Sequence, residues 1–265
     1  MKIGCCASVA DCQAMKRIGY DFIELSARSV GNMSEGELKE ARSILDKTGL
    51  PCIGFNNYCN DELSIVGPGF DAQAARGYAE RISAKGALLG IKNIGIGAPL
   101  ARVLPPNYDI STANRQMEEF LHITADAAQK YGIFILYESL NDKICNFGTD
   151  TLEALALVKK LNIPNLRLVL DFYHMLMMDE DLENIGGVIP YVQHLHISHK
   201  VQGTNRGHLE PSGMDFYRKS VKSALSFGYD GTLSVEAQSS DFETEARLSY
   251  KILKDIVTEI SGNTE

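Results

Sequence analysis

Four side chains of types that bind divalent metal ions each lie at the carboxyl end of a different short apolar run. They are Glu138, Asp171, His196 and Glu236, which follow one another at intervals of 33, 25 and 40 residues. Charged groups rarely end buried strands unless a partner offsets the cost of their burial. Three carboxylates and one imidazole form a ligand set for a divalent cation. We therefore predict one bound metal ion; the oxygen-rich set favours Mn²⁺ and also suits Mg²⁺, Co²⁺ or Zn²⁺.

Each of these residues has a simpler interpretation when it is taken alone. A single carboxylate at a strand end is more often the N-cap of the next helix or half of an ion pair. Four metal-capable side chains at four consecutive strand ends favour a shared site instead. His194 lies two residues before His196 and would point the same way from a strand. We expect His196 to be the ligand and His194 to be a hydrogen-bonded histidine lower in the core.

Two glutamates at one metal ion suggest proton transfer as the chemistry. A metal ion that binds a carbonyl and its neighbouring hydroxyl stabilises the enediolate that forms when the carbon bearing the hydroxyl loses its proton. One carboxylate removes that proton, and a second returns a proton on the other face or at the neighbouring carbon. Glu138 and Glu236, which close the fifth and eighth predicted strands, are the predicted acid/base pair.

Further polar side chains follow the same strand ends. His174 lies just beyond the sixth predicted strand, and Asn141 lies just beyond the fifth. We predict that both contact the substrate, although His174 could instead support a metal ligand or cap the following helix. Arg206 and Arg102 are predicted to bind substrate hydroxyls or a phosphate, and a surface ion pair is the alternative for each of them.

Short apolar runs, which alternate with longer amphipathic segments, predict the elements that position these residues. The strands are predicted near residues 2–6, 21–25, 51–55, 92–97, 132–138, 166–171, 191–197 and 231–236. They show little alternation of polar and apolar residues, as expected of parallel strands that are covered on both faces. Eight strand–helix units averaging about 33 residues predict an α/β protein with the (β/α)8 TIM barrel fold.

The helical segments include 112–130, 151–161 and 213–227. Ser111 or Thr112 is the predicted N-cap of the first, and Leu152, Leu155 and Ala156 are predicted to face the core from the second. A doubly wound open sheet is the competing architecture, but no Gly-x-Gly-x-x-Gly motif follows the first strand.

The chain contains no linker or low-complexity stretch, which favours a single domain. This domain is predicted to cover residues 1–260, and residues 261–265 are predicted to form a loose C-terminal tail.

The composition of the chain indicates which kinds of partner it binds and in which cellular compartment it works. The chain has 265 residues, a formal charge of −8 and a pI of about 5.3, which argues against a nucleic-acid partner. No apolar run approaches the length of a membrane span. The six cysteines form no Cys-x-x-Cys pair, and we expect reduced thiols in a cytoplasmic protein. The sequence leaves open whether the chain forms a homo-oligomer.

The segments around the four predicted ligands resemble the motifs of a known group. They read Tyr137-Glu138-Ser139-Leu140-Asn141, Leu170-Asp171-Phe172-Tyr173-His174-Met175, His194-Leu195-His196 and Ser234-Val235-Glu236. These motifs are similar to those of the xylose isomerase-like TIM barrel superfamily. Within it, the similarity is to the sugar phosphate isomerase/epimerase group, which includes D-tagatose and D-psicose 3-epimerases and hydroxypyruvate isomerase.

This resemblance implies a sugar or sugar phosphate substrate and one divalent metal ion, usually Mn²⁺. It also implies that Glu138 and Glu236 are the acid/base pair and that His174 and Arg206 touch the substrate. The chain departs from the group at Ser139, where the epimerases typically have proline. It also has a longer segment between the seventh strand and its arginine.

Three other functions stay open at this point. An inosose-type dehydratase would act through the same enolate, and a non-catalytic barrel would bind a sugar without turning it over. An abasic-site endonuclease would use three zinc ions and would need more ligands. The ends of the third and fourth predicted strands, near Asn56 and Gly97, offer it neither histidine nor carboxylate.

Overall fold

Eight parallel strands close into a barrel in the structure, a computed structural model that describes residues 1–59 and 62–262. The barrel strands are β1 (Lys2–Cys6), β2 (Phe22–Ser26), β3 (Cys52–Asn56), β4 (Asn93–Ile96), β5 (Phe134–Glu138), β6 (Leu166–Asp171), β7 (Val192–Ile197) and β10 (Thr232–Val235). Neighbours around the barrel follow the order β1-β10-β7-β6-β5-β4-β3-β2. Each strand lies within two residues of its predicted bounds, and the predicted single-domain (β/α)8 TIM barrel is confirmed.

Helices cover the outside of the barrel and connect its strands. They are α1 (Cys12–Ile18), α2 (Ala27–Asn32), α3 (Glu35–Thr48), α4 (Ala72–Leu89), α5 (Ile110–Gln129), α6 (Thr151–Leu161), α7 (Phe172–Met177), α8 (Met214–Ser226) and α9 (Phe242–Gly262). Because the strands are covered on both faces, successive residues such as Leu168, Val169 and Leu170 are all buried. Within the described ranges, the structure has no helix with the length and apolar character needed to cross a membrane.

Asp109 caps the first turn of α5, so the predicted N-cap at Ser111 or Thr112 is wrong. The Asp109 carboxylate accepts hydrogen bonds from the backbone N–H groups and from the hydroxyls of both residues. A carboxylate is a stronger acceptor than a hydroxyl, and its negative charge is favoured at a helix N-terminus. The two hydroxyls therefore become donors to the cap, and the helix starts earlier than predicted.

The buried face of α6 differs from the prediction, although its bounds agree. Leu155 is buried as expected, but Leu152 is 57% exposed and Ala156 is also exposed. The residues that face the barrel are Thr151, Ala154, Leu155 and Val158. This set has the spacing of one helical stripe, in which a threonine takes the place that the prediction gave to a leucine.

The C-terminal helix α9 runs through Gly262, so the domain does not end at the predicted residue 260. Residues 261 and 262, predicted as the start of a loose tail, belong to this helix. The rest of that predicted tail, residues 263–265, lies outside the described residues.

A short hairpin extends from the segment between β7 and α8. Its strands are β8 (His199–Lys200) and β9 (Arg206–Gly207), which pair antiparallel. The backbone N–H of Gln238 donates to the carbonyl oxygen of Arg206 at 2.9 Å, which joins the hairpin to the segment that follows β10. This contact holds the predicted substrate-binding arginine over the carboxyl ends of the barrel strands.

Candidate metal centre

The four predicted metal ligands meet at the carboxyl ends of four adjacent barrel strands. Glu138 ends β5, Asp171 ends β6, His196 lies near the end of β7, and Glu236 follows β10. One ligand atom of each lies within 4.8 Å of those of the other three. Metal–ligand bonds of about 2.1 Å place opposed ligands about 4.2 Å apart. The distances between the ligand atoms are therefore close to those of a metal site, with the atoms slightly farther apart than around a bound ion.

Three of these ligand atoms are buried without a hydrogen bond: Glu138 Oε1, His196 Nδ1 and Glu236 Oε2, of which the last has an ion pair with Arg206. His196 Nδ1 lies 3.7 Å from the glutamate oxygen of β5 and 3.1 Å from that of Glu236. A buried polar atom without a hydrogen bond is rare and costs about 1–3 kcal/mol. Three such atoms within reach of one point fit a bound cation, and their chemistry suits a hard or borderline divalent ion.

Glu24, from β2, contacts the candidate histidine ligand from beneath. Its Oε2 lies 2.9 Å from His196 Nε2 and 3.1 Å from His194 Nε2. Because a carboxylate only accepts hydrogen bonds, Nε2 of each ring carries a proton, and Nδ1 of His196 is the atom left for a metal ion. His194 is also hydrogen-bonded to Thr232 through Nδ1 at 2.6 Å. It is buried below the site, as predicted for a core histidine.

Glu24→Gln is expected to weaken Mn²⁺ binding by about 10- to 100-fold, the usual effect of losing a carboxylate that orients a metal-binding histidine. The amide is a weaker acceptor, and its N–H₂ group would oppose the ring N–H. Titration calorimetry with Mn²⁺ measures the change. Glu40→Gln, at an exposed position of α3, is the matched control and should bind as the wild type. Unchanged affinity in Glu24→Gln would show that Glu24 does not orient His196.

Two of the ligand carboxylates use their second oxygen within the protein. The Nδ2 group of Asn56, at the end of β3, donates to Glu236 Oε1 at 2.9 Å. Asp171 Oδ1 accepts from the backbone N–H of Tyr173 at 2.8 Å and so caps α7. Asp171 is therefore a helix cap and a candidate ligand at once. These bonds determine which oxygen of each carboxylate is left to face the other ligands.

Arg206 reaches the same group of carboxylates from β9. Its Nη2 forms an ion pair with Asp171 Oδ2 and lies 2.9 Å from Glu236 Oε2. Its Nε donates to Ser198 Oγ at 3.1 Å, and the guanidinium lies 4.9 Å from the centre of the Tyr173 ring. The arginine thus adds positive charge beside the carboxylates while lining the cavity above them.

The two glutamates have pKa shifts of opposite direction. Burial raises the pKa of Glu138 to about 7, and the nearby carboxylates of Glu236 and Asp171 add to this effect. Burial also acts to raise the pKa of Glu236, but Arg206 and His196 outweigh it and hold that pKa below its usual range. Neighbouring groups with separated pKa values are typical of acid/base pairs.

The raised pKa of Glu138 makes the stability of the metal-free protein depend on pH. Between the ordinary value of 4.5 and the folded value of about 7, the native state keeps a proton that the unfolded state has lost. Stability therefore falls as the pH rises through this window. Glu138→Gln removes this titration and should stabilise the metal-free protein by at most about 3 kcal/mol above the window and little below it.

Urea unfolding of both proteins in EDTA, at one pH below and one above this window, measures the difference. The wild type and Glu138→Gln should differ mainly at the higher pH, because only there does the wild type have to ionise a buried carboxyl group. A difference of equal size at both pH values would contradict the raised pKa of Glu138.

His174 lies beside the candidate ligands and is held by Asn141. The Asn141 amide N–H donates to His174 Nδ1 at 2.8 Å, so Nε2 carries the ring proton. This Nε2 lies 3.9 Å from Glu138 Oε1 and 3.8 Å from Asp171 Oδ2. Burial lowers the pKa of His174 to about 4, which keeps the ring a neutral donor at neutral pH. Asn141 is fully buried behind it, so it positions His174 rather than contacting substrate as predicted.

Arg102 is fully buried, which rules out both the predicted substrate contact and the alternative of a surface ion pair. Its Nη2 donates to the carbonyl oxygen of Glu138 at 3.0 Å, and its Nη1 donates to the Tyr137 hydroxyl at 3.2 Å. The guanidinium also lies 5.3 Å from the centre of the Tyr137 ring. Arg102 therefore supports the end of β5 from behind, a burial that is unusual for arginine.

A cavity of about 810 Å³ opens above the candidate ligands. Glu138, Glu236, His174 and Arg206 line one side of it. The other side is formed by the segments that follow β1 to β4, and its small and apolar side chains include Cys6, Ala7, Val9, Val30, Met33 and Ala98. Catalytic and substrate-binding groups of barrel enzymes are found at this end of the strands.

The sequence did not lead us to predict Glu24 and Asn56 as site residues, although each contacts a candidate metal ligand in the structure. A signal for Glu24 is present in the sequence, because a carboxylate inside the apolar run 21–25 needs a partner when it is buried. Asn56 gives a weaker signal, since an amide at a strand end is common in turns. Both residues belong to strands outside the four whose ends carry the metal-capable side chains.

Comparisons with known proteins agree with this fold. A family model described as a xylose isomerase-like TIM barrel matches residues 12–256. A ketose 3-epimerase from Arthrobacter globiformis is 32% identical over 117 residues, 44% of this chain and 39% of that protein. An uncharacterized protein from Methanocaldococcus jannaschii is 27% identical over 143 residues, 54% of this chain and 51% of that protein. The chain thus spans about half or less of these curated relatives.

A solved structure extends the likeness over nearly the whole chain. It is that of a D-allulose 3-epimerase from Methylomonas sp. in complex with D-allulose, with a TM-score of 0.82 and 18% identity. The superposition covers 96% of each chain. At this level of identity, the likeness shows a shared fold.

Proposed function

The chain belongs to the xylose isomerase-like TIM barrel family, and we propose that it is a sugar epimerase or isomerase that uses one divalent metal ion, with Mn²⁺ preferred. The observation that carries this proposal is the convergence of four metal-ligand side chains, two of which are glutamates. The similarity to a ketose 3-epimerase supports the reaction class. We propose a ketose or a ketose phosphate as the class of substrate.

The two glutamates supply the proton transfers of this reaction. When bound, the metal ion polarises a carbonyl and its neighbouring hydroxyl and so acidifies the C–H bond of the carbon that bears the hydroxyl. Glu138 and Glu236 belong to β5 and β10, and β6 and β7 lie between these strands. The carboxylates therefore approach the site from two sides. One takes the proton, and the other returns a proton to the opposite face, which inverts the carbon.

Arg206 and His174 suit the oxygens that gain charge in this step. The guanidinium of Arg206 and the Nε2–H of His174 are both donors, and both residues line the cavity next to the ligands. Donors held in place before the reaction stabilise a developing enediolate without reorganising. Asn141 keeps the His174 ring in the tautomer that donates.

The number of residues that could bind a metal ion favours this function over an endonuclease that needs three metal ions. Among the described residues, the groups that could hold a metal ion are the four ligands and the set Cys6, Glu24 and His196, and the two groups share His196. β3 ends at Asn56 and β4 ends at Ile96, which are not metal ligands of the required type. The described residues therefore favour a single ion.

Deuterium exchange tests the proposed function. The Mn²⁺-loaded protein is incubated in D₂O with a panel of ketoses and ketose phosphates, and proton NMR follows the carbons next to the carbonyl. We expect deuterium at the carbon that is inverted, together with appearance of the epimer or isomer. Loss of water from the product would instead indicate a dehydratase. A complete lack of exchange with every compound would contradict enediolate chemistry.

A further inference from the structure

A second group of metal-capable side chains lies against the candidate metal centre. Cys6 ends β1, Glu24 belongs to β2 and His196 belongs to β7, and one ligand atom of each lies within 4.8 Å of those of the other two. Cys6 Sγ lies 3.3 Å from Glu24 Oε2, and His196 Nε2 lies 2.9 Å from the same oxygen. We call these three residues the thiol site.

The distances in the thiol site are close to those around a zinc ion. With Zn–S bonds of about 2.3 Å and Zn–O and Zn–N bonds of about 2.0 Å, tetrahedral ligands put sulfur about 3.5 Å from oxygen and oxygen about 3.3 Å from nitrogen. The observed separations of 3.3 Å for Cys6 to Glu24 and 2.9 Å for Glu24 to His196 are slightly shorter. A small outward shift of the three side chains therefore admits an ion.

The carboxylate oxygen at the centre of the thiol site has more donors than it needs. Glu24 Oε2 faces the thiol of Cys6 and the Nε2 atoms of His194 and His196. A carboxylate oxygen has about two lone-pair directions, so three donors compete for it. An ion that replaces the protons of Cys6 and His196 removes this competition, and His194 keeps its hydrogen bond to Glu24.

The thiol site is open to the cavity through Cys6. This residue is half-buried and lines the cavity, whereas the other five cysteines are buried. An ion can therefore enter from the cavity, and water in the cavity can supply its fourth ligand. Three protein ligands and one water molecule are a common arrangement around zinc.

We propose that the thiol site binds a thiophilic ion such as Zn²⁺ or Cd²⁺ and that this ion excludes Mn²⁺ from the candidate metal centre. Thiolate ligands select soft ions, whereas carboxylates suit Mn²⁺. Burial and the charge of Glu24 raise the pKa of Cys6, so its proton leaves only when an ion with high affinity for sulfur replaces it. Mn²⁺ has little affinity of this kind.

The exclusion follows from the two nitrogens of the His196 ring. The thiol proton leaves to solvent when the ion binds, and the neutral imidazole keeps one N–H group. With the ion on Nε2, this proton moves to Nδ1, which lies 3.1 Å from Glu236 Oε2. A protonated Nδ1 donates to that carboxylate and cannot bind Mn²⁺. The protein therefore holds one ion at a time, and each ion weakens binding of the other to the same degree.

The inhibitory consequence rests on the proposed function, since it assumes that Mn²⁺ at the candidate metal centre supports turnover. The thiol site itself does not depend on that function. It therefore has a test that needs no sugar.

Titration with Cd²⁺, followed by the ultraviolet charge-transfer absorption of cadmium thiolates, tests the thiol site. The wild type should develop this band, and Cys6→Ala and Cys6→Ser should both lose it. Cys12→Ala, at a buried cysteine of α1 outside the thiol site, is the matched control and should keep the band. Cooperative thermal unfolding of each variant shows that it is folded.

Competition with Mn²⁺ tests the exclusion in the wild type. Cd²⁺ is held at the concentration that gives half of the full band. Mn²⁺ at roughly twenty times its Kd should then lower the band about tenfold, because the two ions bind to alternative forms of one protein. A band that Mn²⁺ leaves unchanged would reject the exclusion through His196. Absence of the band in the wild type, or its persistence in both Cys6 variants, would overturn the thiol site.

The results also separate this inference from the proposed function. Sugar exchange in D₂O by a protein that shows no cadmium band supports the function and rejects the thiol site. A band that depends on Cys6 and falls with Mn²⁺, in a protein that exchanges no sugar, supports the thiol site and rejects the function.

Discussion

Glu138→Gln is expected to lower kcat for epimerisation by about 10²- to 10⁴-fold at saturating Mn²⁺, the usual contribution of a general acid or base. Glutamine has the same shape and keeps one oxygen that could bind the metal ion, but it cannot accept and release a proton at the substrate carbon. Glu236→Gln should have an effect of the same size, because both proton transfers are needed for inversion. Steady-state kinetics with the best ketose found in the exchange screen measures kcat and KM.

The dual role of these glutamates requires a control on metal binding. Each glutamine variant should lose some Mn²⁺ affinity, which calorimetry reports directly, so kcat is compared only where the site is saturated. Glu40→Gln, the exposed variant on α3, should keep the wild-type kcat. Recovery of full activity in Glu138→Gln at high Mn²⁺ would mean that Glu138 is a ligand alone and that the proton is moved by another group.

Removal of the metal ion with EDTA is expected to abolish turnover and to lower the melting temperature. Without a metal ion, Arg206 offsets only part of the repulsion among the three carboxylates, and Glu138 Oε1 and His196 Nδ1 are left without a hydrogen-bond partner. A ligand at one hundred times its Kd stabilises the native state by about 2.7 kcal/mol. For a chain of this size, that corresponds to a rise in Tm of roughly 5–10 °C when Mn²⁺ is added back.

Asp171→Asn provides the matched variant for this experiment. Its Oδ1 can still cap α7 through the Tyr173 N–H, so the fold should be kept while one charged ligand is lost. We expect only a small rise in Tm with Mn²⁺ in this variant. A wild-type protein that turns over in EDTA, or whose Tm does not respond to any divalent ion, would rule out the metal centre.

The barrel could be predicted because its signals are local. A covered parallel strand is a short apolar run, and a helix on the barrel surface has an apolar stripe, so each element can be recognised within its own segment. Errors arose where a neighbouring residue competed for the same role. Asp109 displaced Ser111 as the cap of α5, and the stripe of α6 includes Thr151 in place of Leu152.

The functions of individual polar residues were harder to predict than their positions. Asn141 and Arg102 follow strands that end at the site, but both are fully buried and support other groups. Asn141 holds the ring of His174, and Arg102 holds the carbonyl group of Glu138. Whether a side chain after a strand faces the cavity or the protein depends on the path of the loop, which has no periodic pattern in the sequence.

The sequence by itself determined the order of strands and helices, the four metal-capable side chains and their place at the strand ends. Those features follow from local burial patterns and from the rule that parallel strands end on one face. Only the tertiary structure decided which residues surround these four side chains. Closure of the barrel brings Glu24 to His196 across 172 residues of chain and Asn56 to Glu236 across 180. Contacts at that separation depend on strand register and barrel closure, which leave no local signal.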